Sequence, residues 1–346
     1  MTDIARTWLA PGYSIATVIN GCWQLTPDHG GGPASEAGIF SMFSELVEHG
    51  FTTFDCADIY TGVERLIGRF RRRLPDPDRI QIHTKLVPDK STLGQLTASK
   101  VDAVIDRSLE RLGVDCIDLV QFHWWDYRVP GMELLTGRLL SAQRSGKIRL
   151  LGATNFDTAH IRQLLDDGIP LASLQTQYSL LDRRPEKHMT ALAQASGVSL
   201  LPYGVLAGGF LSEKYLGAKA PPALNRSLTK YRLIIDEAGG WDTFQDLLQV
   251  LSRIAGKHGV TLDLVALRWV LGQPAVRAII LGAGSRSRAL RNLELARLEL
   301  DAEDLQAIGR QLDRQKIPAG DMYDLERDET GVHAGIIKTE LQGGER

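Results

Sequence analysis

The chain of 346 residues is 43% hydrophobic and 24% charged, a globular composition that excludes disordered and fibrous classes. Its 40 Lys and Arg stand against 42 Asp and Glu, so the formal charge is -2 and there is no broad basic field of the kind nucleic-acid binding draws on. Three cysteines (Cys22, Cys56, Cys116) are too few for a disulfide framework and wrongly spaced for a zinc site, and no apolar run approaches the roughly 18 residues of a membrane span. The opening MTDIARTW holds an acidic residue and no apolar h-region, so a cytoplasmic protein with no nucleic-acid, membrane or metal partner is expected.

One pattern recurs along the chain: a short apolar run, a polar or Gly-containing loop, then an amphipathic helical stretch. The expected strands cover 15–21, 52–57, 80–86, 116–123, 148–155, 173–178, 198–204 and 276–282. Each is short and aliphatic or β-branched, as strands buried on both faces are. Before the fourth strand, Val101, Val104, Ile105, Ser108, Leu109 and Leu112 recur at helical spacing and Gly113 ends the run. Asp157 sits where an N-cap belongs, ahead of Ile161, Leu164 and Leu165, and Gly168 closes that helix. Residues 243–258 read the same way with Gly259 as the stop, and Asp301 caps a last helix through Leu305, Ile308 and Leu312.

Eight such units in about 300 residues predict one α/β domain over 1–346, a (β/α)8 TIM barrel with its core at about 12–315. An N-terminal hairpin precedes it, and an extra C-terminal helix and a tail, 316–346, follow. A long loop of about 38 residues, 205–242, separates the seventh strand from its helix, a length that is normally functional on this face of a barrel. A doubly wound sheet is the rival, but Gly30, Gly31 and Gly32 lack the spacing of a dinucleotide fingerprint. The polar tail is open to two readings, folded over the barrel mouth or hanging free.

In a barrel the chemistry sits where strands end. Asp55, Tyr60, Lys85 and His123 end or follow three adjacent strands. A lysine closing an apolar strand is costly to bury unless it is paired, and Asp55 is the natural partner. A lysine held charged beside a phenol lowers the phenol's pKa from about 10, which suits Tyr60 to proton transfer. His123 is expected to orient and polarise a carbonyl oxygen beside Tyr60. Strand alternation further predicts a polar layer of Gln81, His83 and Gln121 beneath this group.

These residues lie in a specific order of motifs: D-C-A-D-I-Y ending in Tyr60, H-T-K ending in Lys85, D-L-V-Q-F-H-W around His123, G-K-I-R-L-L-G-A-T-N-F ending in Phe156, and Q-T-Q-Y-S-L-L-D-R from Gln175 to Arg183. The chain thereby resembles the aldo-keto reductases over nearly its whole length. The branch it is most similar to includes bacterial aldo/keto reductases and voltage-gated potassium channel β subunits. The resemblance implies that Asp55, Tyr60, Lys85 and His123 are the catalytic tetrad, with Tyr60 as general acid/base in hydride transfer between a nicotinamide and a carbonyl. It also implies a cofactor lying across the mouth. Cys22, Trp23 and Asp55 would border it, Thr154, Asn155 and Gln175 would hold its carboxamide, and Tyr203 would stack on its ring. Gly204, Val205, Leu206, Ala207 and Gly208 would run beside the pyrophosphate, with Lys214 and Arg226 on its phosphates. Gly282, Gly284, Arg288, Arg291 and Asn292 would hold the adenosine end, and Arg288 on a 2′-phosphate favours NADP (NADPH). Two departures stand out: Gly204 replaces a usual serine, and Arg291 stands where an acidic residue is common. Trp23, Ile59, Tyr60, His123, Trp124 and Trp125 would line the substrate mouth, extended by Tyr127 and Met132.

The leading expectation is an NADP(H)-dependent reductase of aldehydes or ketones acting on a small-molecule carbonyl substrate. The alternatives are a dehydrogenase of a sugar lactol or aromatic alcohol, and a cofactor-binding regulatory subunit. A homo-oligomer is left open.

Overall fold

The structure is a computed structural model and describes residues 4–26, 35–222, 225–283 and 290–340. It opens with a hairpin of β1 (Arg6–Ala10) and β2 (Tyr13–Ala16), turned at Gly12, whose φ of 72° suits glycine. Eight parallel strands follow: β3 (Val18–Gly21), β4 (Thr53–Asp55), β5 (Gln81–Leu86), β6 (Ile117–Phe122), β7 (Ile148–Thr154), β8 (Leu171–Gln177), β9 (Ser199–Tyr203) and β10 (Ile279–Gly282). β3 through β9 pair in chain order, and β10 pairs with β3. The ring closes between β9 and the approach to β10, where Leu200 bridges Val276 and bonds Ala275 and Arg277 through the backbone.

The helices are α1 (Glu36–Glu48), α2 (Val63–Arg71), α3 (Ala98–Leu112), α4 (Met132–Arg144), α5 (Thr158–Asp166), α6 (Met189–Ser196), α7 (Arg226–Glu237), α8 (Gly240–His258), α9 (Leu262–Leu271), α10 (Ala302–Leu312) and the single turn α11 (Asp324–Arg327). Their signals act as the sequence suggests. Asp157 accepts from the His160 amide at 2.8 Å, Asp301 forms a capping box with Asp304, and Gly113 ends α3 at φ 65°.

Two expectations change, and the open reading of the tail is decided. The first expected strand divides at Thr17, whose amide turns to Ala5, so 13–16 belong to the hairpin and 18–21 to the barrel. The long segment 205–242 is not all loop: it holds α7, capped by Asn225 accepting from Leu228 N at 2.9 Å, and α8 begins at Gly240 rather than 243. The tail packs back on the molecule, with Tyr323, Glu326 and His333 buried. Gly30, Gly31 and Gly32 lie outside the described residues.

Strand alternation sorts the side chains. Outward-facing ones pack with the helices in the main core. Inside the lower barrel, Ile15, Ile19, Leu119, Leu201 and Ile280 pack together with Leu9 and Tyr13 of the hairpin. Tyr13 OH meets His83 Nε2 at 3.1 Å, so the hairpin plugs the barrel from beneath.

Candidate active site

Above that apolar floor the inward positions turn polar. Asp55 and Lys85 end adjacent strands, and Lys85 Nζ donates to Asp55 Oδ2 at 2.5 Å and to the Cys56 carbonyl at 2.8 Å. Both side chains are nearly fully buried. The other Asp55 oxygen accepts from Gln175 Nε2 at 2.7 Å and Gln121 Nε2 at 3.1 Å. A buried carboxylate with an ammonium and two amides is well satisfied, so the pair holds a fixed geometry. Burial works against the Lys85 ammonium, but Asp55 and then Tyr60 outweigh it, and its pKa lies above the ordinary lysine value.

Tyr60 sits on the turn after β4, with Lys85 Nζ 5.0 Å from its ring centroid and the Trp23 ring packed edge-on at 4.8 Å. Burial pushes its phenol up to about 12, with Lys85 offsetting part of the rise. The expected lowering by Lys85 is therefore real but outweighed by desolvation, and Tyr60 stays protonated at neutral pH. The turn itself is braced from behind. Asp58 Oδ1 accepts from Val87 N at 3.2 Å, and Arg111 reaches both the Asp58 carbonyl and Glu64.

His123 follows β6. Its Nδ1 lies 2.9 Å from the Thr154 carbonyl, an acceptor, so Nδ1 carries the hydrogen. Burial, then Arg327, holds its pKa to about 3, so the ring is neutral and Nε2 is a bare acceptor, buried and, among the described residues, without a hydrogen-bond partner. In this state the ring does not donate to a carbonyl oxygen, which departs from the polarising role expected of it. Trp125 meets it edge-on at 4.3 Å, and Trp125 Nε1 donates to Pro88 O at 2.7 Å. Trp124 is fully buried, its ring under the Gly131 turn and its Nε1 on Val129 O, so it packs beneath the following loop. Ile59 is partly buried at the rim, and Tyr127 stacks on His160 at 3.4 Å.

The polar layer expected from Gln81, His83 and Gln121 is a column along the barrel axis. Gln121 joins Asp55 at the top, His83 meets Tyr13 in the middle, and Gln81 accepts from Arg6, Thr52 and Thr53 at the bottom.

The residues expected along a cofactor fall into three groups. At the strand ends, Cys22 N donates to Asp55 O, Thr154 O holds His123, and Asn155 Oδ1 accepts from Tyr203 OH at 2.9 Å. Asn155 takes φ 60°, a left-handed backbone rare outside glycine and common at sites under functional constraint. Gly282 ends β10 beside Gln24, whose amide lies 2.5 Å from where a Cβ would be. The second group follows β9, where Gly204 and Gly208 both take φ 67° and a Cβ on either would run into the Tyr231 ring. Val205 and Ala207 of the same run are buried, and Leu206 is partly so. Tyr231 belongs to α7, and its neighbour Lys230 sets its ammonium 5.1 Å from the Tyr203 ring centroid. Helix α7 thus lies directly on the Tyr203–Gly208 strip. Lys214 is exposed beside Tyr215, and Arg226 donates to Ile336 O of the tail. In the third group Asn292 is buried and Arg291 pairs with Asp263 at 2.5 Å, which compensates the extra charge at that position. Gly284 and Arg288 lie outside the described residues.

The sequence reading passed over four residues at this mouth: Lys230, Tyr231, Tyr323 and Arg327. Tyr323, at φ 65°, lays its ring 5.6 Å from that of His123, and the Lys230 ammonium lies 5.8 Å from Tyr323. Glu326 anchors this turn through Arg184 at 2.9 Å and 3.1 Å, and Arg184 also grips Asp182, all three essentially buried. The apolar spacing Leu228, Tyr231, Ile235 behind Asn225 was a legible signal for α7; nothing comparable marks the tail turn.

Among the described residues no helix is long and apolar enough to cross a membrane, and no cluster of His, Cys, Asp and Glu is arranged to hold a metal ion.

The Aldo/keto reductase family model matches residues 17–312. The chain is 29% identical over 301 residues to flagellar radial spoke protein 5 of Chlamydomonas reinhardtii, covering 68% of this chain and 57% of that one, so it spans little more than half of that relative. It is 30% identical over 289 residues to the chloroplastic pyridoxal reductase of Arabidopsis thaliana, covering 76% of each. Among solved structures, the thermostable aldo-keto reductase Tm1743, in complex with the inhibitor epalrestat, superposes with a TM-score of 0.71 at 24% identity, over 89% of this chain and all of that one.

Proposed function

The chain belongs to the aldo/keto reductase family, and on that premise we propose that it is an NADP(H)-dependent oxidoreductase that reduces an aldehyde or ketone with Tyr60 as proton donor. The observation that carries this reading is the Lys85 ammonium, fixed at 2.5 Å on Asp55 and 5.0 Å from the Tyr60 ring. A protonated phenol can give its proton to a carbonyl oxygen as negative charge builds there. The phenolate left behind is stabilised by the neighbouring ammonium. Asp55, held by two amides, keeps Lys85 charged and aimed. His123, neutral and with a bare Nε2, accepts a hydrogen bond from a hydroxyl at the same mouth.

The residues fit a nicotinamide dinucleotide. Tyr203 offers a flat ring, and Gly204 and Gly208 leave a backbone strip that approaches closely only where side chains are absent. When bound, that cofactor supplies the hydride. Asn155 and Gln175 sit at the adjoining strand ends, Lys214 and Arg226 offer cations to phosphates, and Arg288 is read as the grip on a 2′-phosphate, which favours NADP over NAD. Because Lys230 and Tyr231 lie on this strip, α7 moves off it when a dinucleotide enters. The tail belongs to the same unit, since its turn closes the mouth, and 1–346 is read as one domain.

The reading is tested by following NADPH and NADH oxidation over a panel of aldehydes and ketones. Turnover with a preference for NADPH is expected. NADPH binding without turnover of any carbonyl would overturn it in favour of a cofactor-binding partner protein.

A further inference from the structure

We propose that Arg327 is the anion-recognition residue of the substrate site, so that the carbonyl compound it serves carries a carboxylate. The proposal rests on the reductase reading and names its substrate class.

Arg327 is carried by the tail turn α11 to the ends of β6 and β7. Its Nε donates to Trp125 O at 3.2 Å, and its Nη2 donates to Trp124 O at 3.1 Å and Asn155 O at 2.7 Å. Its guanidinium lies 4.3 Å from the Tyr127 ring centroid and 5.2 Å from that of Tyr323. Nη1 is buried and, among the described residues, has no hydrogen-bond partner. All three acceptors are neutral carbonyls, and among the described residues no carboxylate pairs with this cation.

The contrast with Arg184 is instructive. Arg184, fully buried, meets Asp182 and Glu326 and its charge is balanced, whereas Arg327, partly buried, meets only neutral carbonyls. Among the described residues this cation has no counter-ion, and a ligand carboxylate supplies one while satisfying the enclosed, idle Nη1. The planar fork of donors matches a carboxylate better than any other side chain does.

Position ties this cation to the chemistry. The Tyr323 ring lies between Arg327 and His123, touching the imidazole edge at 5.6 Å. Tyr323 is held at φ 65°, a conformation that costs energy in a bulky residue and persists here only because the surrounding contacts impose it. The Arg327 charge also helps keep His123 neutral. One aromatic ring therefore separates the cation from the tetrad, and the Trp125 ring meets His123 edge-on at 4.3 Å. The matching substrate is an aldehyde or ketone with a carboxylate on the far side of a ring or short chain. The competing role for Arg327 is that of a brace tying the tail to two strand ends, and a brace has no preference among substrates.

The test compares kcat and KM for 4-carboxybenzaldehyde and benzaldehyde, with NADPH, in the wild type, Arg327→Met and Arg327→Lys. The wild type should favour the carboxylate by about tenfold or more in kcat/KM. Arg327→Met should lose that preference, with KM for 4-carboxybenzaldehyde rising at least tenfold further than KM for benzaldehyde, and Arg327→Lys should retain part of it. Equal wild-type use of the two aldehydes, or equal loss on both in Arg327→Met, overturns the proposal. A second readout needs no turnover: tryptophan fluorescence titrated with terephthalate and with terephthalamide. Saturation by terephthalate alone, abolished in Arg327→Met, is expected; saturation that survives the substitution overturns the proposal. Terephthalate binding through Arg327 in a protein that reduces no aldehyde would sink the reductase reading and leave the anion site standing.

Discussion

The barrel interior and its cover satisfy their polar groups in opposite ways. Inside, Asp55 is bonded to Lys85, Gln121 and Gln175, and His83 to Tyr13, so the geometry is fixed from several sides. Over the mouth, the Lys230 ammonium rests among the rings of Tyr203, Tyr231 and Tyr323, with, among the described residues, only a 3.5 Å bond to Tyr203 OH, and Arg327 keeps an idle Nη1. The lesson is that groups which act on a proton are built in rigidly, while groups that meet a cofactor or substrate are held by contacts a ligand can replace.

The sharpest way to break the interior half of that contrast is acid. Burial, then Lys85, holds the His83 pKa down from its ordinary 6.5 to about 3. Below 6.5 the unfolded chain takes a proton that the folded chain refuses, so stability falls as pH drops from about 6.5 toward about 3. Each such group contributes a slope of about 1.4 kcal/mol per pH unit in that window. Urea unfolding at pH 7 and pH 5 should show His83→Gln losing less stability than wild type by that slope, with His123 contributing a slope of the same sign. An unchanged slope would mean that His83 is charged in the fold.

The cover half predicts a smaller effect of opposite character. Lys230→Ala uncovers the Tyr203 ring, so NADPH should bind a few-fold more tightly, because less of the binding energy goes into displacing α7. Fluorescence titration reads this directly. Weaker binding in the variant would make Lys230 a ligand rather than an obstacle.

The same contrast explains what sequence reading reached. Gln81, His83 and Lys85 share a face by strand alternation, and the register Asp55↔His83 and Lys85↔Gln121 stacks the polar residues of three strands as a column along the interior. Such short-range rules make the interior legible. The net pKa of Tyr60 was not, because it depends on how far burial outweighs Lys85. The cover depends on partners far apart in the chain. Arg184 meets Glu326 across 142 positions, and Arg226, expected on a phosphate, bonds Ile336 across 110. Helix α7 carries a helical spacing of its own, Leu228, Tyr231 and Ile235, but Pro221 and Pro222 just ahead of it make the surrounding stretch read as loop.

The central claim is that the Tyr60 phenol delivers the proton while Lys85 and Asp55 hold it in position. Its most direct measurement is the single-turnover rate of NADPH oxidation by an excess of Tyr60→Phe over aldehyde, beside NADPH affinity for the same variant. The account predicts a rate lower by roughly a hundredfold or more, with affinity within a few fold of wild type. A near wild-type rate in Tyr60→Phe would contradict it.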